Sequence, residues 1–242
     1  MTTSERSVAI VSGATGAIGS ATCRALLAAG YHVMVGYRSD AAAAERLAAE
    51  LAPHATAVPL DITDESQVEA CVASAQEVGT LAVVVNNAGM TGDDLMLRLE
   101  PDRFDLTVET NLRGAYLLTR AALRPMLRAR FGRVINVSSI VALRGNPGQV
   151  AYAAAKAGMI GMTRSLAREV ARKGITVNAV APGFVESAMT AELPEQARDA
   201  LVASAPIGRA VLAEEVAHAI AFLATSRASE RVMPIIPAFA AA

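Results

Sequence analysis

Six short apolar runs, at residues 8–11, 32–37, 56–60, 81–85, 133–137 and 176–181, alternate along this chain with longer Ala-rich stretches of helical period. Apolar runs without polar alternation belong to strands covered on both faces, and the intervening helices supply that cover. The pattern predicts an α/β fold with a doubly wound parallel sheet. Punctuation agrees: Gly30 follows a first helix expected over 20–29, Ser39 or Asp40 can cap the second and Asp64 the third, and Gly174 closes a long helix that begins near Gln149. Another long helix is expected over 101–130.

With 242 residues, 53% of them hydrophobic, the chain can bury one large core. No Gly/Ser- or Pro-rich linker and no long repeat divides it, so residues 1–242 read as a single domain. The formal charge of −1, with cations scattered among acids, argues against nucleic acid or an anionic membrane as partner. Residues 1–7 hold no apolar signal core and no apolar run is long enough to span a bilayer, which leads us to expect a soluble, cytoplasmic protein. Cys23 and Cys71 fall amid helical alanines, as buried small residues do, and His32, His54 and His218 stand apart from other ligand types, so no metal is expected.

Sheets of this class bind ligands beyond the carboxyl ends of their strands. The first such loop reads Ser12-Gly13-Ala14-Thr15-Gly16-Ala17-Ile18-Gly19, between a strand and a helix. Glycines there allow a sharp turn and close approach to a pyrophosphate, whose charge the helix N-terminus stabilises, so the segment predicts a Rossmann-like dinucleotide site. After the second strand, Tyr37-Arg38-Ser39 replaces the acidic residue that would receive ribose hydroxyls. Arg38 can pair with a 2′-phosphate and Ser39 can donate to it, favouring NADPH over NADH, although a solvated Arg in a surface turn gives the same sequence. Asp61, with Ile62 beside it, is placed for the adenine edge and is equally compatible with a turn.

Tyr152 and Lys156 are four residues apart on the long helix and share a face, with Ser139 at the end of the fifth strand. An ammonium beside a phenol favours phenolate and draws the Tyr pKa down toward the range of a working acid or base. An Ala-rich helix can also carry such a pair by accident.

The glycine turn, Asn86-Asn87-Ala88-Gly89, Asn111, Ser139, Tyr152, Lys156 and Pro182-Gly183, in this order, resemble the short-chain dehydrogenase/reductase family from about Val8 to Leu223. The resemblance implies that Tyr152 donates a proton to the substrate oxygen, that Ser139 hydrogen-bonds the same oxygen, and that Lys156 holds the nicotinamide ribose and lowers the Tyr152 pKa. It further implies that Asn111 holds a proton-relaying water, and that Asn87, Ala88 and Gly89 line the cofactor with Thr15, Ala17 and Ile18. Pro182-Gly183, Val185 and Ser187 resemble the segment that grips the nicotinamide carboxamide, and 186–205 resembles a substrate lid. One departure stands in the turn: Ala17 occupies the usual middle-glycine position and Gly16 replaces a residue that in some NADPH-using members is a phosphate-binding Arg.

Within the family, residues 87–98 and 152–178 are most similar to 3-oxoacyl-[acyl-carrier-protein] reductases. That implies NADPH-dependent reduction of a β-ketoacyl thioester on an acidic acyl carrier protein, in fatty-acid or polyketide biosynthesis. A free ketone or alcohol is the alternative substrate, and a non-catalytic cofactor-binding subunit the alternative role. Arg130 and Lys173 match positions of carrier-docking cations, while also suiting helix-terminal cations that complement the macrodipole. A homodimer or homotetramer is the family expectation. The tail 229–242 is atypical: Pro234 makes a last strand near 232–236 irregular or an edge, either as a tolerated variation or because a heteromeric partner completes this region.

Overall fold

The computed structural model describes residues 6–186, 195–203, 205, 207–225 and 236–237. Its parallel strands are β1 (Ser7–Val11), β2 (His32–Tyr37), β3 (Ala55–Pro59), β4 (Thr80–Asn86), β5 (Gly132–Val137), β6 (Ile175–Ala181) and β7 (Ile236–Pro237), in the order β3-β2-β1-β4-β5-β6-β7. Each of the six apolar runs is one of these strands, with ends displaced by no more than one residue. The helices are α1 (Ala17–Ala28), α2 (Ala41–Glu50), α3 (Glu65–Val78), α4 (Pro101–Val108), α5 (Gly114–Ala129), α6 (Val141–Arg144), α7 (Val150–Val170), α8 (Glu195–Ala203) and α9 (Ala213–Ala224).

Two cores flank the sheet because successive strand residues point to opposite faces. Ala9 and Val11 pack with Cys23, Leu26, Leu47 and Ile220 of α1, α2 and α9. Val8 and Ile10 pack with Val68, Cys71, Leu118 and Met126 of α3 and α5. Both cysteines are free and buried, and burial pushes each thiol up to about 12, as expected of inert packing residues.

Asp40 accepts the Ala43 N–H at 2.9 Å to cap α2, and Asp64 accepts the N–H groups of Ser66 and Gln67 to cap α3. By contrast α1 starts at Ala17, three residues earlier than expected, with no side-chain cap and no acid in its first turn. Its free N–H groups open at the junction of β1 and β4, where strand order reverses and a crevice forms.

The helix expected over 101–130 is divided. A π-helical turn, Glu109–Arg113, separates α4 from α5 and contains Asn111. One wider turn leaves helical period intact on either side, so the apolar pattern does not reveal it. The Pro-rich terminus meets the sheet as the edge strand β7, where Pro237 pairs beside Ala181 at the end of β6; the rest of 229–242 lies outside the described residues. Among the described residues, no helix is long and apolar enough to cross a membrane.

Candidate active site

The glycine turn is fastened to the end of β4 by side chains. Ser12 Oγ donates to the Val85 carbonyl and accepts the N–H groups of Asn87 and Ala88, both at 3.1 Å. Asn87 Nδ2 donates to the carbonyls of Ser12 and Gly13 at 3.0 Å. Asn87 therefore steadies the two loops that meet at the crevice, and Ser12, not singled out in the sequence, is the other half of the clasp. Gly13 has φ +61°, and a Cβ there would lie 2.8 Å from Ala88 Cα; a Cβ at Gly19 would lie 2.2 Å from the Gly13 carbonyl oxygen. Gly16 differs, since its nearest neighbour would be that oxygen at 3.6 Å. No protein contact forbids a side chain at Gly16, which with Thr15 is exposed in front of the uncapped N–H groups of Ala17 and Ile18. Such an open cradle of donors fits a pyrophosphate.

At the neighbouring strand ends, Tyr37 is half-buried, Arg38 and Ser39 are exposed, and Ile62 is buried. Asp61 Oδ1 accepts from the N–H and hydroxyl of Thr63 at 2.9 and 2.7 Å, so of its two sequence readings the turn is the one the structure displays.

Ser139, Tyr152 and Lys156 converge beyond the end of β5. Lys156 is 3% exposed, its Nζ donates to the Val137 carbonyl at 2.8 Å, and Ser138 Oγ donates to the Lys156 carbonyl at 2.9 Å. Burial lowers the ammonium to about 8. Nζ lies 5.7 Å from the centre of the Tyr152 ring. The expectation that Lys156 lowers the Tyr152 pKa is corrected: the phenol is raised, chiefly by burial, with the Ser139 hydrogen bond opposing and the Asp93 charge adding to the rise. The low-dielectric surroundings that disfavour the ammonium disfavour phenolate as well.

Gly89 links these groups to Asn111. A Cβ at Gly89 would lie 2.5 Å from Asn111 Oδ1 and 3.4 Å from Lys156 Nζ. Asn111 is fully buried in the π turn, donating from Nδ2 to the carbonyls of Met90 and Thr107, both at 2.8 Å, and accepting the Met90 N–H at 3.3 Å. Both amide hydrogens are thus engaged in holding the loop after β4.

That loop is also tied to the start of α7, where Gln149 Nε2 donates to Asp93 Oδ2 at 2.9 Å and the Asp94 N–H donates to the Gly148 carbonyl. Beneath it, Asn86 Nδ2 donates to Thr119 Oγ1 and Asn136 Oδ1, and Asn136 Nδ2 donates to Thr163 Oγ1, at 2.7–2.8 Å. This buried chain joins α5 and α7 through β4 and β5. On the far side of the cleft Pro182 accepts the Ile140 N–H at 2.9 Å, with Gly183 following and Val185 bridged to Val211; Ser187 lies outside the described residues, as do 188–194 and 204 of the segment resembling a lid.

Arg130 and Lys173 are exposed and adjoin each other, since a Cβ at Gly174 would lie 2.2 Å from the Arg130 carbonyl. They precede β5 and β6, whereas Ser139 follows β5. Five strand steps separate these ends, about 17 Å at the usual rise.

A profile of the short chain dehydrogenase family matches residues 7–198. The chain belongs to that family. This short-chain dehydrogenase is 45% identical over 226 residues to the 3-oxoacyl-[acyl-carrier-protein] reductase FabG of Pseudomonas aeruginosa, covering 92% of this chain and 91% of the relative. It is 41% identical to the FabG of Escherichia coli, with 93% and 92% covered. Its fold matches a crystallised variant of actinorhodin polyketide ketoreductase with NADPH, at a TM-score of 0.89 and 34% identity, covering 96% of this chain and 95% of that one.

Proposed function

We propose that this dehydrogenase uses NADPH to reduce a β-ketoacyl thioester to the β-hydroxyacyl thioester in fatty-acid or polyketide biosynthesis. The observation that carries the reading is the convergence of Ser139, Tyr152 and buried Lys156 beside the glycine turn, in a chain 41–45% identical to carrier-protein reductases. The turn and the free end of α1 would hold the pyrophosphate, Arg38 and Ser39 would meet the 2′-phosphate, Ile62 beside the Asp61 turn would face the adenine, and the loops at 87–89 and 182–185 would border the nicotinamide half. NADPH supplies the hydride for the carbonyl carbon.

The protein supplies the proton and a place for the charge. Ser139 donates a hydrogen bond to the carbonyl oxygen, and Tyr152 protonates it. Because its pKa is raised, Tyr152 holds its proton at neutral pH and is ready as an acid. Lys156, near 8, exchanges protons close to neutrality and can reload the phenol once it has given its own away. Asn111 keeps the Met90 loop and Gly89 in place against Lys156.

Residues 1–242 act as one catalytic domain in the cytoplasm, assembled as a homodimer or homotetramer; exposed Leu106, Tyr116 and Leu127 along α4 and α5 supply apolar surface for that contact. Arg130 and Lys173 dock an acidic carrier for the cleft of a neighbouring copy, since their own is at the other end of β5. Charge reversal at both should weaken reduction of carrier-bound substrate and spare a small thioester, whereas equal loss on both substrates argues against docking.

The test of the function is NADPH oxidation with a β-ketoacyl thioester, carrier-bound and free, beside simple ketones. Turnover led by the thioesters supports the reading. Turnover confined to free ketones assigns a different substrate class, and no turnover with any of them assigns a cofactor-binding subunit.

A further inference from the structure

Between α1 and α2, beside the glycine turn, lies a pocket of about 370 Å³ lined by Thr15, Ser20, Arg24, Arg46, Leu47 and Glu50. Leu47 is buried and forms its floor. The two arginines are not equivalent. Arg24 makes a bidentate pair with Glu50 at 2.7 and 2.8 Å, which offsets its charge. Arg46 has no ion pair among the described residues, so the pocket carries one uncompensated cation. Long helical side chains lean back toward the helix N-terminus, which aims Arg46 past Ala43 toward Thr15 and the end of β2.

The glycine turn above this pocket lacks a cation, because Gly16 stands where some NADPH-using members of the family carry a phosphate-binding Arg. The space a side chain would fill there is open. Arg38 is exposed in the neighbouring β2–α2 connection, and the Thr15 hydroxyl makes no described hydrogen bond.

We propose that Arg46 is a specificity residue for the 2′-phosphate of NADPH, reaching from the second turn of α2 into this pocket to replace the cation missing at Gly16, with Thr15 as a neutral donor. The inference rests on the NADPH reading. It makes the discrimination between the two nicotinamide cofactors a joint property of Arg38 and Arg46.

The chain has no Trp, so binding is read from the fluorescence of the reduced cofactor itself, with NADPH and NADH titrated separately into wild type, Arg46→Gln, Arg46→Glu and Arg38→Gln. One charge-assisted contact at a partly solvated site should weaken NADPH about tenfold in Arg46→Gln, more in Arg46→Glu, with NADH affinity unchanged. Competition by 2′,5′-ADP should weaken in step, while competition by 5′-AMP should not. A wild type that prefers NADPH and keeps that preference in Arg46→Gln overturns the inference alone, as does parallel weakening of both cofactors. A wild type that binds the two equally overturns the NADPH reading and the inference with it.

Discussion

Replacing Lys156 with Met should remove a specific pH dependence from the stability of the cofactor-free protein. Lys156 titrates at about 8 in the folded chain against 10.5 for the ordinary side chain, because its ammonium is buried with only the Val137 carbonyl as described partner. Between those values the unfolded chain binds one more proton than the folded one, so stability rises with pH through this window and is flat below it. The interval of about 2.5 pH units, at roughly 1.4 kcal/mol each, amounts to about 3 kcal/mol. Cys23 and Cys71 act in the opposite sense above pH 9, since burial holds both thiols up to about 12 and the unfolded chain loses those protons first. The quantity to follow is therefore the difference between wild type and Lys156→Met, in which the cysteines cancel. Urea unfolding followed by circular dichroism from pH 7 to 10 should give a difference that is level below pH 8 and then moves in favour of wild type. A flat difference, or one moving the other way, refutes the claim that burial controls the Lys156 charge.

The glycine turn gives a second contrast: Gly19→Ala sets a Cβ 2.2 Å from backbone and should lose both stability and cofactor binding, while Gly16→Ala, with its nearest neighbour at 3.6 Å, should fold normally and weaken only cofactor binding. Thermal melts beside cofactor titrations separate the two. Asn136→Ala should destabilise the protein by about 3 kcal/mol, by opening a cavity and stranding Asn86 and Thr163, which denaturant unfolding would register. A loss below about 1 kcal/mol would mean that this buried chain does not hold α5 and α7 to the sheet.

The sheet was legible in the sequence because strands buried on both faces are written as continuous apolar runs, and the caps at Asp40 and Asp64 because a carboxylate before a helix has one local use. Tyr152, Lys156 and Ser139 could be paired from spacing along one helix and one strand end. What escaped depends on groups distant in the chain. The Ser12–Asn87 clasp spans 75 residues and the Asn86–Asn136 contact 50, so neither exists until β4 is in register with its neighbours. The π turn at Asn111 alters the helix without altering its apolar pattern. The sign of the Tyr152 shift follows from burial, which spacing does not report, and the distance of Arg130 and Lys173 from the cleft follows from which end of β5 each residue occupies.

The central claim, that Tyr152 delivers the proton to a carbonyl reduced at NADPH, is tested most directly by Tyr152→Phe. Removing only the phenolic oxygen should abolish β-ketoacyl thioester turnover, by at least about a hundredfold, while NADPH binding stays within about twofold of wild type. Turnover retained near the wild-type rate would contradict the account.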